Sequence, residues 1–168
     1  MKTLFALLAL LLQQSFVAAA EPELPLGWRQ LAKSELMDPW RDGCANRCAW
    51  MAADFNADRR TEGAFIAVNE KRRTGGLLVF LYTRSGKQTW HVLDEFDLSV
   101  LSVMGVRTQP NDQVRALCAN GTSNCGKDGK VGVTVRQPAI SYFKYEATES
   151  VFIWRRSNQG FKRLWLSE

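Results

Sequence analysis

Four oxygen-bearing side chains lie close together in one polar segment and could bind a metal ion. Asp54, Asn56, Asp58 and Glu62 occupy positions 1, 3, 5 and 9 of this segment, which leads into an apolar run. If the backbone curls, oxygen atoms at alternate positions converge on one point, and Ca²⁺ takes about six to eight such ligands. The spacing therefore predicts a loop able to hold a hard cation.

The segment resembles the Asp-x-[Asp/Asn]-Gly-Asp-Gly-x-x-Asp calcium loop of FG-GAP and VCBS-type β repeats, in which the loop leads directly into a strand. The resemblance implies that the ligands are Asp54, Asn56, Asp58, the carbonyl oxygen of Arg60, and Glu62 in place of the usual aspartate. The last strand-like run, Phe-Lys-Arg-Leu-Trp-Leu, is similar to the ending of small exported bacterial proteins. Calcium is the cofactor that this resemblance implies.

The segment departs from the calcium pattern at the two glycines, which are Ala57 and Arg59 here. Glycine takes a positive φ at no steric cost, so its loss opposes the curl that a cation needs. Arg59 and Arg60 also bring positive charge towards the proposed cation. The alternative is a loop without metal, in which the Asp and Asn side chains accept hydrogen bonds from nearby backbone N–H groups.

The sequence contains no recognisable catalytic set. His91 is the only histidine, and strand alternation places it on one face with Leu93 and Glu95. A hydrolytic triad needs a nucleophile and an orienting acid around the imidazole, and no serine lies in a Gly-x-Ser-x-Gly turn. The acidic group at 94–97 could supply paired carboxylates for glycoside cleavage, so a cell-wall hydrolase is kept as a minor alternative. We expect a protein that is not an enzyme.

The four cysteines point to two disulfides. Four cysteines allow three connectivities, which the sequence alone does not distinguish. Local pairs, Cys44 with Cys48 and Cys118 with Cys125, are favoured because each pair brackets a short polar loop. A four-cysteine zinc site is the rival, but only the first spacing suits the common zinc pattern.

The N-terminus carries the pattern of an exported protein. Lys2 is followed by an apolar run at 4–12 and an Ala-Ala-Ala at 18–20, which is typical of a signal peptide covering residues 1–20. We expect a mature chain of residues 21–168, one β-rich domain without a membrane span, in the periplasm or secreted. The formal net charge of +5 is small and evenly spread, so no nucleic-acid partner is expected.

Short apolar and alternating runs fill the chain after residue 60. They are rich in Val, Ile, Phe, Tyr, Trp and Thr, and turn residues separate them, as in consecutive antiparallel strands. The predicted fold is mainly β: an antiparallel meander, sandwich or open barrel. A short N-terminal helix is expected between residues 28 and 40, with Ser34 as its cap and an end before Pro39. The strands are predicted at 64–69, 77–82, 89–96, 100–106, 114–118, 131–136, 140–145, 151–155 and 161–166.

Long polar connections between 108 and 129 suggest a binding surface. Rigid β scaffolds commonly present recognition residues on such loops. The interpretation is a non-catalytic periplasmic protein-binding domain, such as an inhibitor or an immunity protein against a cell-wall hydrolase. The alternative is a calcium-stabilised structural or carbohydrate-binding module. The candidate partner-binding residues are Gln109, Asn111, Asp112, Asn120, Ser123, Asn124 and Lys127.

Overall fold

The computed structural model describes residues 23–118 and 124–167, and the predicted signal peptide at 1–20 lies outside these ranges. The described chain is mainly β, as predicted, with helical structure limited to short 3₁₀ turns. The strands are β1 (Trp28–Gln30), β2 (Trp50–Ala53), β3 (Glu62–Asn69), β4 (Thr74–Tyr82), β5 (Gln88–Asp97), β6 (Met104–Gln109), β7 (Gln113–Leu117), β8 (Lys130–Thr134), β9 (Ala139–Lys144), β10 (Glu149–Arg155) and β11 (Gly160–Ser167).

The strands form two larger open sheets and a small ribbon, all antiparallel. The first sheet has the order β1-β3-β4-β5, and β2 pairs with β3 beyond the end of β1. The second sheet has the order β11-β10-β9-β6, and β7 pairs with β8 alone. Consecutive strands pair in β3-β4-β5 and β9-β10-β11, because short turns favour antiparallel neighbours.

The main core lies between the two larger sheets. Alternate side chains of β3 and β4 face inward, among them Ile66, Leu77 and Val79, and none is more than 2 % exposed. They pack against Ile140 and Phe152 of the second sheet. Each such aliphatic side chain contributes roughly 1.5–3 kcal/mol when it leaves water, so this layer stabilises the sandwich.

A second apolar cluster covers the outer face of the second sheet. Val151 and Ile153 alternate with the inward-facing residues of β10 and pack against Val114 of the ribbon. Val135 and Ala139 complete this cluster. The β7–β8 ribbon therefore acts as a third layer, which supports the sheet from outside.

Two local predictions need correction. The predicted strand at 100–106 is wrong over its first half, because Leu98–Val103 forms a 3₁₀ helix and the strand starts at Met104. The helix predicted between residues 28 and 40 is correct only in part, because Trp28–Gln30 is strand β1 and the helical structure consists of 3₁₀ turns at Lys33–Leu36 and at Pro39–Gly43, where the helix was expected to end. Ser34 lies inside the first turn, and Glu35 accepts the 2.6 Å bond from the backbone N–H of Ala32.

Among residues 23–118 and 124–167, none of the helices combines the length and apolar character that crossing a bilayer requires.

Candidate functional site

The acid loop (residues 54–62) links β2 to β3 and has a tightly curled backbone. Ala57 has a φ of 59° and Arg59 a φ of 69°, both in the left-handed region. These are the two positions that glycine occupies in the calcium pattern. A left-handed conformation costs a non-glycine residue roughly 1–2 kcal/mol. The loop therefore adopts the curl expected of a cation loop although both glycines are missing.

Side-chain oxygens of the loop hold this curl. The two carboxylate oxygens of Asp54 accept bonds of 3.0 Å from the N–H of Asp58 and 2.9 Å from the N–H of Arg59. Asp58 Oδ1 accepts from the N–H of Arg60 at 2.9 Å. Asn56 Oδ1 accepts from the N–H of Asp58, also at 2.9 Å. These are the Asx-type bonds expected of the loop without metal, and they satisfy its irregular backbone.

Glu62 closes the loop from inside the protein, since its side chain is fully buried at the start of β3. Its carboxylate accepts a 2.9 Å bond from the N–H of Phe55 and a 2.7 Å bond from Asn56 Nδ2. Burial raises the pKa of Glu62 to about 7, against the opposing effect of the Phe55 bond, and the charges of Asp58 and Asp54 raise it further. Glu62 is therefore poised to lose a proton near neutral pH.

The three acids of the loop come together as the spacing predicts. One carboxylate oxygen from each of Asp54, Asp58 and Glu62 lies within 4.8 Å of the others. Oxygen atoms that share one Ca²⁺ at 2.3–2.6 Å stand at comparable separations. Asn56 differs from the prediction, because its Nδ2 points at Glu62 Oε1 and at Asp58 Oδ2, the latter at 3.3 Å. An amide N–H thus lies among the acids where a cation would be held.

Arg60 directs its charge away from the acids. Its Nη1 donates a 2.8 Å bond to the carbonyl of Thr83, and its guanidinium lies 5.9 Å from the ring centre of Tyr82. The repulsion expected between Arg60 and a cation in the loop is therefore reduced. The donor set of three carboxylates fits Ca²⁺, provided that the Asn56 amide rotates to present its oxygen.

A groove opens beside the acid loop at one end of the sandwich, and we call it the mouth groove. The turns between β4 and β5 and between β10 and β11 form its sides, and it encloses about 550 Å³. Asn56 and Asp58 belong both to the acid loop and to the wall of this groove. The remaining lining residues are Leu81, Tyr82, Thr83, Arg84, Thr89, His91, Trp154, Arg156 and Gln159.

His91 lies in the wall of the mouth groove, opposite Val79 in the β4–β5 register. Its side chain is half-buried, and burial lowers the pKa of its imidazole. Within the described part of the chain, no residue hydrogen-bonds to this imidazole. The geometry therefore presents a neutral histidine without an orienting acid, which is not the arrangement of a hydrolytic triad.

The acidic residues at 94–97, which were considered for glycoside cleavage, each bond to a different structural partner. Asp94 pairs with Arg163 at 3.1 Å, and Glu95 pairs with Arg72 at 2.8 Å. Asp97 accepts a 2.8 Å bond from the N–H of Ser99 and begins the 3₁₀ helix at Leu98–Val103. Each of these carboxylates serves a separate structural contact.

The predicted partner-binding residues fall into two groups. Gln109 ends β6, and Asn111 and Asp112 form the turn before β7. Asn124 and Lys127 are exposed in the connection after β7. The five residues of β7 separate the groups by at least roughly 16 Å, so the ribbon presents them at opposite ends. The two other candidates, Asn120 and Ser123, lie outside the described residues.

Both predicted disulfides are formed, which confirms the preference for local pairs. Cys44 bonds to Cys48 and Cys118 bonds to Cys125. Two disulfides indicate an oxidising environment outside the cytoplasm. The first bond closes what we call the cysteine loop (residues 44–48), in which Asn46, Arg47 and Cys48 have φ values of 51°, 52° and 53°.

The outer aromatic face, formed by Trp50, Phe65, Phe80, Tyr82 and Trp90, was not foreseen. These rings lie on the side of the first sheet away from the core, and neighbouring ring centres are 5.3–6.2 Å apart. Trp50 is 41 % exposed. The sequence signal is the unbroken apolar run at 77–82, since a strand with both faces covered reads as continuous rather than alternating.

The rings of the outer aromatic face lie across a glycine. A Cβ added to Gly63 would come within 2.6 Å of the rings of Phe65 and Phe80. The face is therefore a packed layer that depends on the absence of a side chain at Gly63 beneath it.

No family model matches the chain, and it has no significant match among curated proteins or solved structures.

Proposed function

We propose that this protein is a non-catalytic binding domain of the periplasm that docks onto another protein through the outer aromatic face. A role as an inhibitor or immunity protein against a cell-wall hydrolase suits this arrangement. The observation that carries the proposal is the Trp50 ring, which is 41 % exposed and stacks on the buried ring of Phe65 at the outer side of the first sheet. An exposed aromatic side chain held on a packed apolar layer is the kind of anchor that a protein partner buries.

The composition of the face favours a protein partner. Trp, Tyr and Arg dominate the residues that carry protein–protein binding energy. Trp50 and Tyr82 supply the aromatic groups, and Arg60 lies over the Tyr82 ring without a carboxylate partner among the described residues. The partner surface is therefore expected to be apolar, with an acidic group opposite Arg60.

The rings of this face form both a stack and a set of edges. Trp50 lies at 17° to Phe65, whereas Trp90 is tilted by 56° to Phe65 and Tyr82 stands at 80° to Phe80. The edges leave clefts that accept protruding side chains of a protein partner. The disulfides and the predicted signal peptide support a periplasmic location.

The test combines capture with a binding measurement on purified components. A partner recovered from periplasmic extract is purified and titrated calorimetrically against the wild type and two variants. Trp50→Ser is expected to weaken binding at least tenfold, because Trp50 is the exposed anchor of the face. Tyr145→Ser is the matched control, since Tyr145 is 40 % exposed but stacks on Trp40 elsewhere. Equal affinities for all three proteins, or no specific partner, would reject the proposal.

A second candidate function is that of a calcium-stabilised module, and the curled acid loop favours it. Ala57 and Arg59 adopt the conformation of the two pattern glycines, and three carboxylates converge. Calcium that binds only the folded state raises the free energy of unfolding, by about 2.7 kcal/mol at a hundred times Kd. Thermal melts in EGTA and in millimolar Ca²⁺ measure this effect. If Ca²⁺ raises the melting temperature of Glu62→Gln as much as that of the wild type, or does not raise that of the wild type, the calcium site is rejected.

A further inference from the structure

The mouth groove has the size and the lining of a small-molecule site, and it shares only Tyr82 with the docking face proposed above. Its volume of about 550 Å³ falls within the range of roughly 300–1,000 Å³ that small ligands occupy. Three segments far apart in the sequence meet there: the acid loop, the β4–β5 turn and the β10–β11 turn. A pocket made by three converging segments has a defined shape rather than being a single loose loop.

The groove carries positive charge that the protein does not neutralise. Arg84 comes from the β4–β5 turn and Arg156 from the β10–β11 turn. Neither forms an ion pair with any residue in 23–118 or 124–167. Asp58 also lines the groove and brings one carboxylate, so the two arginines outnumber the acids of the lining. Two free guanidinium groups on facing turns favour an anionic ligand, because guanidinium matches the geometry of a carboxylate.

The rest of the lining suits a hydroxyl-bearing ring. Trp154 borders the groove while its ring packs edge-on against Phe161, with centres 5.3 Å apart. Thr89 and Gln159 add a hydroxyl and an amide, and the His91 imidazole has no internal partner. Burial lowers the pKa of His91, so it offers a neutral donor and acceptor near pH 7. An aromatic wall combined with amide, hydroxyl and imidazole groups satisfies both the faces and the edges of a sugar.

We propose that the mouth groove binds a carboxylate-bearing saccharide, with Arg84 and Arg156 on the acid group and Trp154 beside the sugar ring. The bond to each guanidinium is a charge-assisted hydrogen bond, and because both arginines are exposed the attraction is screened by salt. The neutral groups of the groove select the ring, and the arginines select its charge.

Calorimetric titration of the full mature protein with glucuronic acid tests the site, with EGTA present so that the acid loop does not contribute a cation. We expect millimolar or tighter binding that weakens as salt is added. Glucose, which lacks the acid, is expected to bind at least tenfold more weakly. Inorganic phosphate is expected to compete poorly, because it cannot use the aromatic wall. Equal binding of glucose, phosphate as strong as glucuronic acid, or no heat at millimolar ligand would each overturn the proposal.

Variants locate the bound ligand. Arg84→Gln and Arg156→Gln are each expected to lower the affinity at least tenfold, and both change exposed turn residues that the fold does not need. Arg136→Gln is the matched control, because Arg136 is exposed and outside the groove. If the Arg136 variant loses as much affinity as the other two, the binding is non-specific charge attraction and the groove is not the site.

Discussion

The two loops that flank β2 solve the same backbone problem by different means. The cysteine loop places Asn46, Arg47 and Cys48 in the left-handed region, and the acid loop does so with Ala57 and Arg59. A covalent bond closes the first loop, whereas hydrogen bonds from carboxylates to backbone N–H groups hold the second. Strained backbone can thus be kept by a crosslink or by polar side chains, and only the second means leaves oxygen atoms available for a ligand.

Each loop is also supported by one fully buried ionisable side chain. Arg41 underlies the cysteine loop and donates to the carbonyls of Arg47 at 2.9 Å, Leu101 at 3.2 Å and Met104 at 2.8 Å. Glu62 underlies the acid loop and accepts from the backbone N–H of Phe55 and the side-chain amide of Asn56. The arginine supplies donors where carbonyls need them, and the carboxyl group supplies acceptors where N–H groups need them.

The largest effect is expected from Arg41→Met, which keeps the volume but removes the donors. The freed carbonyls stay buried and unsatisfied, so the free energy of unfolding should fall by about 3 kcal/mol. Urea denaturation measures the change. Arg136→Met, at an exposed arginine, should change the free energy of unfolding by less than about 0.5 kcal/mol. A similarly small effect at Arg41 would mean that its buried bonds contribute nothing net.

The corresponding test of the acid loop is the pH dependence of stability. The pKa of Glu62 is raised from 4.5 to about 7 in the folded protein, so between these values the folded state binds more protons than the unfolded state. The free energy of unfolding therefore decreases as pH rises through this window, by about 3 kcal/mol over the whole window. Urea titrations in EGTA from pH 4.5 to 8 should show that slope. Glu62→Gln should show no such slope. If the free energies of unfolding of the wild type and of Glu62→Gln change with pH in the same way, the pKa of Glu62 is not raised by burial.

Much of the fold and of the acid loop could be predicted from the sequence, and the features that could not be predicted have physical causes. Alternation predicted the strands from residue 60 onward, and spacing predicted the convergence of Asp54, Asp58 and Glu62. The left-handed conformation of Ala57 was not predictable from residue type, because bonds to Asp54 from the next two residues impose it. The turn of the Asn56 amide towards Glu62 depends on a carboxylate that lies in the next strand.

A register shift in β5 limited the prediction of which of its side chains share a face. Alternation placed His91 on one face with Leu93 and Glu95, but β5 has an irregularity opposite Leu77 and Leu78. Asp94 pairs with Leu77 and His91 pairs with Val79, so His91 shares its face with Asp94, and Leu93 packs against the main core as expected, but Glu95 pairs with Gly76 and lies on the other face. One inserted residue reverses every later side chain, and no local pattern marks its position.

A smaller effect tests the crosslinked loop through its disulfide. Asn46→Val places a β-branched side chain at a φ of 51°, which raises the strain of the closed loop. The equilibrium for reduction of Cys44–Cys48 by a dithiol should shift about tenfold towards the thiols, equal to about 1.4 kcal/mol. Alkylation and mass spectrometry report both disulfides in one sample, and Cys118–Cys125 should not shift. Ala45→Val, at a residue without a positive φ, should leave both disulfides unchanged.

The smallest effect is expected where hydrogen bonds alone hold the strain. Ala57→Gly removes the steric cost of a φ of 59° but adds freedom to the unfolded chain, so a net gain of about 0.5 kcal/mol in the free energy of unfolding is expected. Thr61→Gly, in the same loop but without a positive φ, should instead lower it by about 0.5–1 kcal/mol. Urea denaturation of both variants measures whether each substitution raises or lowers the free energy of unfolding. Losses of equal size would mean that Ala57 is not left-handed in solution, and the similarity of the acid loop to a cation loop would then end at its carboxylates.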